Sequence, residues 1–422
     1  MESMLGWLPW AFIAAVGFFA LGWVGARIDV KRLLSESREP PLSYFRGLNF
    51  LLNEQPDRAI EALIEASKQH PEAVELQFAL GSLFRRRGEV DRALRVHKDL
   101  SERSGLAKEQ RTDALYETAL DYHKSGLLDH AEKILLEILE QRRANDQQTQ
   151  VVLQLLLNLY QQERNWRRAI DIARMLDADQ PSEKRRYRSA VANFYCELAT
   201  ELAATGAAAE ALSHLDRALA EDAGCVRANL LRGEWLLKAG QPAEAIKSWQ
   251  RIEQQDPAFL GLAADQLLAA HEAEGSLDAG LAELSRLQQH YPALDLLNAL
   301  FNATLKKHGA EAASTLVKAD LHQNPTLVGL DRLLEAQVLA TSDATKKADV
   351  EMVRALVHSH ASRLAVYLCG TCGFKAKQYY WHCPACGGWN TFPPRRTAEY
   401  DTAERHLARL QAEHIENKQA NS

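Results

Sequence analysis

The chain has 422 residues and a mass of 47.2 kDa, too long for one ordinary hydrophobic core, which points to two or three domains or to one extended repeat array. Its 22 glycines and 13 prolines fall short of the about 12% Gly plus Pro of average usage, which favours helices over a sandwich, a barrel or a collagen-like chain. A net charge of -6 argues against a sequence-independent nucleic-acid binder, which needs a basic surface, and 46% hydrophobic with 25% charged residues argues against global disorder.

Residues 3–26 read SMLGWLPWAFIAAVGFFALGWVGA and carry no charge. At about 1.5 Å per residue such a helix reaches about 36 Å, enough for a hydrocarbon layer of about 30 Å. Trp7 and Trp10 mark one interface and Trp23 the other. Only Glu2 precedes the stretch, whereas Arg27, Lys31, Arg32 and Arg38 follow it, so the positive-inside bias places the rest of the chain in the cytoplasm. The competing reading is a cleaved signal peptide ending at Val24-Gly25-Ala26. It is weakened by the absence of a basic segment ahead of the apolar run and by that run's length. The expectation is therefore a transmembrane anchor over 1–26 and a linker over 27–43 that contains Pro40 and Pro41.

A repeat follows. Gly47, Phe50 and Ala59 return as Gly81, Phe84 and Ala93, and Ala199, Leu202, Gly206 and Ala211 return as Gly233, Leu236, Gly240 and Ala245, each shifted by 34 residues. Several positions repeating together at this period form the tetratricopeptide pattern. It predicts about eight helix pairs over 44–325, stacked as a superhelical solenoid, and a degenerate helical pair over 326–365. Small residues let the two helices of a pair approach closely, and aromatics fill the space between pairs. Counting along the units places Tyr116, Gln154, Asn158, Asn193 and Arg227 on the concave face, as candidates to hold a partner's backbone or carboxylate or simply as a solvated polar face. Arg85-Arg86-Arg87 and Lys184-Arg185-Arg186 are basic triplets that suit anionic headgroups or solvent.

Cys196 and Cys225 stand alone in helical stretches, but Cys369, Cys372, Cys383 and Cys386 form C-x2-C, ten residues, C-x2-C. Two thiolate pairs on tight turns can surround one ion tetrahedrally, and sulfur ligation permits zinc or iron. Gly373 and Gly387 follow the second cysteine of each pair and let the backbone turn so that N–H groups face sulfur. His382 is an alternative ligand beside Cys383. Phe374, Tyr379, Tyr380, Trp381 and Trp389 supply an aromatic core for a small metal domain over 366–394, ahead of a polar tail over 395–422. No phosphate-binding, nucleotide, hydrolase or metalloprotease motif is found in the chain, and a closed four-cysteine site leaves no position for substrate. The sequence does not read as an enzyme.

Anchor, repeats and double C-x2-C together resemble the lipopolysaccharide assembly protein B family. The motifs that carry the match are GLNFLL (47–52), LGSLFRRRGEVDRA (80–93), NFYCELA (193–199), CGTCGF (369–374) and YWHCPAC (380–386). The resemblance implies an all-α chain with a C-terminal rubredoxin-like domain whose four cysteines bind a metal, iron by analogy with rubredoxin. It further implies an inner-membrane adaptor facing the cytoplasm. Its partners would be a membrane-bound ATP-dependent metalloprotease, the deacetylase that commits precursors to lipid A, and other inner-membrane lipopolysaccharide proteins. The alternatives are a membrane scaffold for lipopolysaccharide enzymes and a rubredoxin-type electron-transfer protein.

Overall fold

The repeat period folds as consecutive helices that pack on one another in a computed structural model, which describes residues 47, 49, 50, 52, 53, 55–141, 147–178, 186–364 and 366–396. The expected anchor over 1–26, the linker over 27–43 and the tail from 397 lie outside the described residues. Among the described residues no helix is long and apolar enough to cross a membrane. The chain divides into two units, one ending at Leu159 and the other beginning at Tyr160.

In the first unit α1 (Pro56–Gln69), α2 (Val74–Arg87), α3 (Val90–Glu102), α4 (Lys108–Lys124) and α5 (Leu128–Glu140) follow in order, and the division falls in the last turn of α6 (Gln147–Gln162). Ala59, Leu63, Leu76, Leu80, Phe84 and Ala93 form a buried cluster. Each such leucine contributes about 1.5–3 kcal/mol by leaving water. Gly88 ends α2 at φ +86°, a left-handed conformation that avoids the Cβ clash and turns the chain into α3.

In the basic triplet on α2, Arg86 and Arg87 are exposed as a solvated surface would have them, and Arg85 departs from that reading. Arg85 is part-buried; its guanidinium pairs with Glu117 and, at 2.9 Å, with Asp121, whose other oxygen meets His97 Nδ1 at 2.6 Å. Burial alone would lower the Arg85 pKa, but the hydrogen bonds and charges of Glu117 and Asp121 more than offset it and leave it raised. Arg87 pairs with Asp57 and Glu89. The short helical spacing sets these arginines against acids of neighbouring helices, so Arg85 is not free for headgroups. Lys184 and Arg185 of the second triplet lie outside the described residues.

In the second unit α7 (Trp166–Ala178), α8 (Arg188–Ala204), α9 (Ala208–Glu221), α10 (Val226–Lys238) and α11 (Pro242–Gln250) keep the period. The short α12 (Ile252–Gln255) and a 3-10 turn (Pro257–Phe259) then interrupt it, the turn capped by Asp256, which accepts from the Ala258 N–H at 3.0 Å. The helices resume as α13 (Leu260–Ala273), α14 (Leu277–His290), α15 (Leu294–His308), α16 (Ala310–Gln323), α17 (Leu327–Ala340) and α18 (Ala344–Leu364).

Gly233 shows why the repeat holds a glycine. A Cβ built there would stand 2.3 Å from the Trp249 ring, and Trp249 is only 1% exposed, so the indole has nowhere to retreat. Gly233→Ala is therefore expected to destabilise the protein. Overpacking costs about 1–3 kcal/mol, against a helix-propensity gain of about 1 kcal/mol. A urea titration followed by circular dichroism would read the change, and a higher midpoint would contradict this account.

Candidate metal centre and its seat

Beyond α18 the chain is not helical. β1 (Tyr367–Leu368) pairs antiparallel with β2 (Lys375–Ala376), in the register Tyr367↔Ala376 and Leu368↔Lys375. The all-α expectation is corrected here, because a C-x2-C turn reverses the chain and its flanks pair as a ribbon. The two turns are built alike. Cys369 N–H donates to Phe374 O and Gly373 N–H to Cys369 O, both at 2.9 Å, and Cys383 N–H to Gly388 O and Gly387 N–H to Cys383 O, also at 2.9 Å.

This duplication brings four sulfurs within 4.8 Å of one another. Cys369 and Cys386 Sγ are 3.8 Å apart and Cys372 and Cys383 Sγ 3.7 Å. Four sulfurs set about 2.3 Å from a common centre stand about 3.8 Å apart, so the donor set fits a tetrahedral thiolate-bound ion. Cys369 and Cys383 are buried, one from each turn, and Cys372 and Cys386 face outward. The Thr391 hydroxyl, 3.3 Å from Cys369 Sγ, and nearby backbone N–H groups pull that thiol down to about 6. At Cys372 the Phe374 N–H favours the thiolate, but desolvation and the three neighbouring sulfurs prevail and push it up to about 12. A cation relieves that mutual repulsion. The segment is a four-cysteine metal-binding site. His382 is not among the grouped donors; its Nε2 lies 3.0 Å from Gly387 O and its ring stacks on Trp389.

The aromatic core differs from the expected one. Tyr367 and Phe392 are the buried rings, with Tyr379 and Tyr380 packed against them and Tyr379 donating to Phe392 O at 3.0 Å. Phe374 is 38% exposed, because its carbonyl is needed over the Cys369 N–H and its ring is left outside. Trp381 meets Tyr379 edge-on at 4.9 Å, as a core ring would, and both Trp381 and Trp389 also reach the helices. Trp389 meets Phe194 and Trp166 edge-on, with centroids 5.6 and 6.0 Å away, and its indole N–H donates to Gln161 at 2.6 Å. Trp381 stacks on Phe259 at 5.4 Å and 7°. Asn390, held at φ +53°, donates to Ser189 Oγ at 2.8 Å. At the far edge Asp295 of α15 accepts from Tyr367 Oη at 2.6 Å and from Arg396 Nε at 2.8 Å.

This seat explains where the candidate partner residues lie. Asn193 and Arg227, expected to meet a separate partner, are buried and face the chain's own metal domain. Asn193 donates to Asn390 Oδ1 at 3.4 Å. Arg227 bonds Glu197 at 2.7 Å and Asn193 at 3.4 Å, and its guanidinium lies 5.8 Å from the Trp389 centroid and 6.0 Å from that of Trp381. Gln154 and Asn158 are exposed on α6, and Tyr116 is half-buried on α4 beside Glu117. A cavity of about 390 Å³ remains at the seam, lined among others by Asp222, Cys225, Arg227, Phe259 and Asn390. Gln161, Ser189, Phe259, Asp295, Asn390 and Arg396 escaped the sequence reading; the Asp256-Pro257 pair was the one local signal, a turn that breaks the period and presents Phe259.

Comparison with known proteins agrees with both parts. Residues 367–394 match the family model described as a rubredoxin metal binding domain. Residues 46–98 and 196–258 match that of the tetratricopeptide repeat. The chain is 31% identical over 378 residues to lipopolysaccharide assembly protein B of Escherichia coli K12, a match spanning 89% of this chain and 95% of that protein. It is 29% identical to the protein of the same name from Haemophilus influenzae, over 90% of this chain and 97% of that one. Among solved structures, a tetratricopeptide repeat protein from Parabacteroides merdae aligns at 15% identity and a TM-score of 0.32, over 75% of this chain and 100% of that one.

Proposed function

The chain belongs to the lipopolysaccharide assembly protein B family, and from that membership we propose that it is a non-catalytic inner-membrane adaptor that limits lipopolysaccharide synthesis. In this reading it presents the deacetylase of the lipid A pathway to a membrane-bound ATP-dependent metalloprotease for degradation, near other inner-membrane lipopolysaccharide proteins. The observation that carries the adaptor reading is the pairing of long helical faces with a closed four-thiolate centre, which has no open position for a substrate. Gln154 and Asn158, four residues apart on one exposed face of α6, and Tyr116 are the residues we assign to partner contact. Asn193 and Arg227 serve partners through the metal domain they hold. The uncharged residues 3–26 supply the anchor, with the body on the cytoplasmic side, and tethering raises the effective concentration of a bound client at the membrane.

Depleting the protein and following the deacetylase is the test. Its half-life is expected to lengthen several-fold; an unchanged half-life rejects the adaptor reading in favour of a scaffold. Iron is the ion we assign to the centre. Protein isolated with iron should show the visible thiolate-to-iron absorption, and a colourless protein loaded with zinc would reverse that assignment.

A further inference from the structure

The two cysteines outside the metal centre lie together. Cys196, on α8, and Cys225, immediately before α10, are distant in sequence, yet their sulfurs are 3.9 Å apart in the interior. A disulfide holds its sulfurs about 2 Å apart, so the pair must close by about 2 Å to bond. The two sulfurs have unlike surroundings. Cys196 is wholly buried, whereas Cys225 lines the cavity at the seam with the metal domain. Cys225 also occupies the position just before the N-terminus of a thirteen-residue helix, two residues ahead of Arg227 in sequence. A hydrogen bond from Cys196 and the positive charge of Arg227 favour the thiolate at Cys225; the same hydrogen bond, followed by desolvation, keeps Cys196 protonated.

We propose that Cys196 and Cys225 are a peroxide-responsive dithiol, with Cys225 the attacking sulfur reached through the cavity and Cys196 the resolving one. The Cys225 thiolate attacks one oxygen of hydrogen peroxide, an S–O bond forms as the O–O bond breaks, and hydroxide leaves. The Cys196 sulfur then attacks the sulfenic sulfur, the S–S bond forms, and the departing hydroxide takes the Cys196 proton as water. Two thiols and one peroxide give one disulfide and two waters, and a dithiol reductant reverses the change. The bond ties α8 to the start of α10. These helices carry Asn193, Glu197 and Arg227, so the modification acts at the wall of the metal domain's seat.

The test exposes the reduced, metal-loaded full chain to a small molar excess of hydrogen peroxide, then alkylates it under denaturing conditions for peptide mass spectrometry. The expected product is a Cys196–Cys225 cross-link, lighter by two hydrogens, that dithiothreitol reopens while the metal remains bound. In Cys196→Ala, Cys225 should stop at the sulfenic acid and be captured by dimedone; in Cys225→Ala, Cys196 should stay alkylatable. Full alkylation of both cysteines in the wild-type chain, at peroxide levels that already release the metal, would overturn the proposal without requiring any variant to fold.

Discussion

Cys383→Ser should abolish metal binding and unfold residues 366–396, while the helices keep their structure. Cys383 is 1% exposed and its own N–H closes the second turn, so the serine hydroxyl would occupy a buried ligand position that it fills poorly. The domain has few means of holding itself together without the ion: two short strands, four buried side chains and a handful of half-buried rings. Structural metal ions in such small domains supply about 10–16 kcal/mol of binding free energy, more than a segment of this size gains from packing. Metal content should fall from one ion per chain to near zero, and protease cuts should open within 366–396. Far-ultraviolet dichroism should lose little, because the lost region has no helix. A variant that retained its metal would remove Cys383 from the ligand set.

Trp389→Ala should separate docking from folding. The ring carries edge contacts to Phe194 and Trp166, the cation face for Arg227 and the hydrogen bond to Gln161, yet it contributes no ligand atom. Its loss is expected to cost about 3 kcal/mol, the low end for a tryptophan truncation because the ring is only half-buried. Such a loss lowers the docked-to-undocked ratio by about a hundredfold. Hydrogen exchange should quicken in the 381–392 segment and at α8, with one metal ion still bound. Trp389→Phe should recover most of the protection, since it keeps the ring pairs and loses the bond to Gln161. Loss of the metal from Trp389→Ala would instead make this ring part of the domain's own core.

The sequence was most legible where residues act on neighbours in their own repeat or turn. Gly233 and Ala245 sit where the period demands, because helix packing is a local contract between residues a few turns apart. The cysteine spacing reports its site for the same reason. The seat is different. Trp389 and Gln161 are 228 positions apart, and Asn390 and Ser189 are 201 apart, so no periodicity links them. Each residue also has an ordinary reading when taken singly: Trp389 as core, Arg227 as a polar face, Arg85 as a solvated cation. Only the fold shows that the first two face each other and that the third is turned inward upon Asp121.

Asp295 binds both Tyr367, in β1 at the start of the metal domain, and Arg396, just beyond Pro394. One carboxylate on α15 thus holds the chain on both sides of the thiolate cluster and closes the intervening segment into a loop. Tension arriving from beyond residue 396 would load the Arg396 pair first, and the thiolate cluster would bear none of it until that clasp gave way. The order of mechanical failure is then set by a half-buried ion pair, with the metal centre protected behind it.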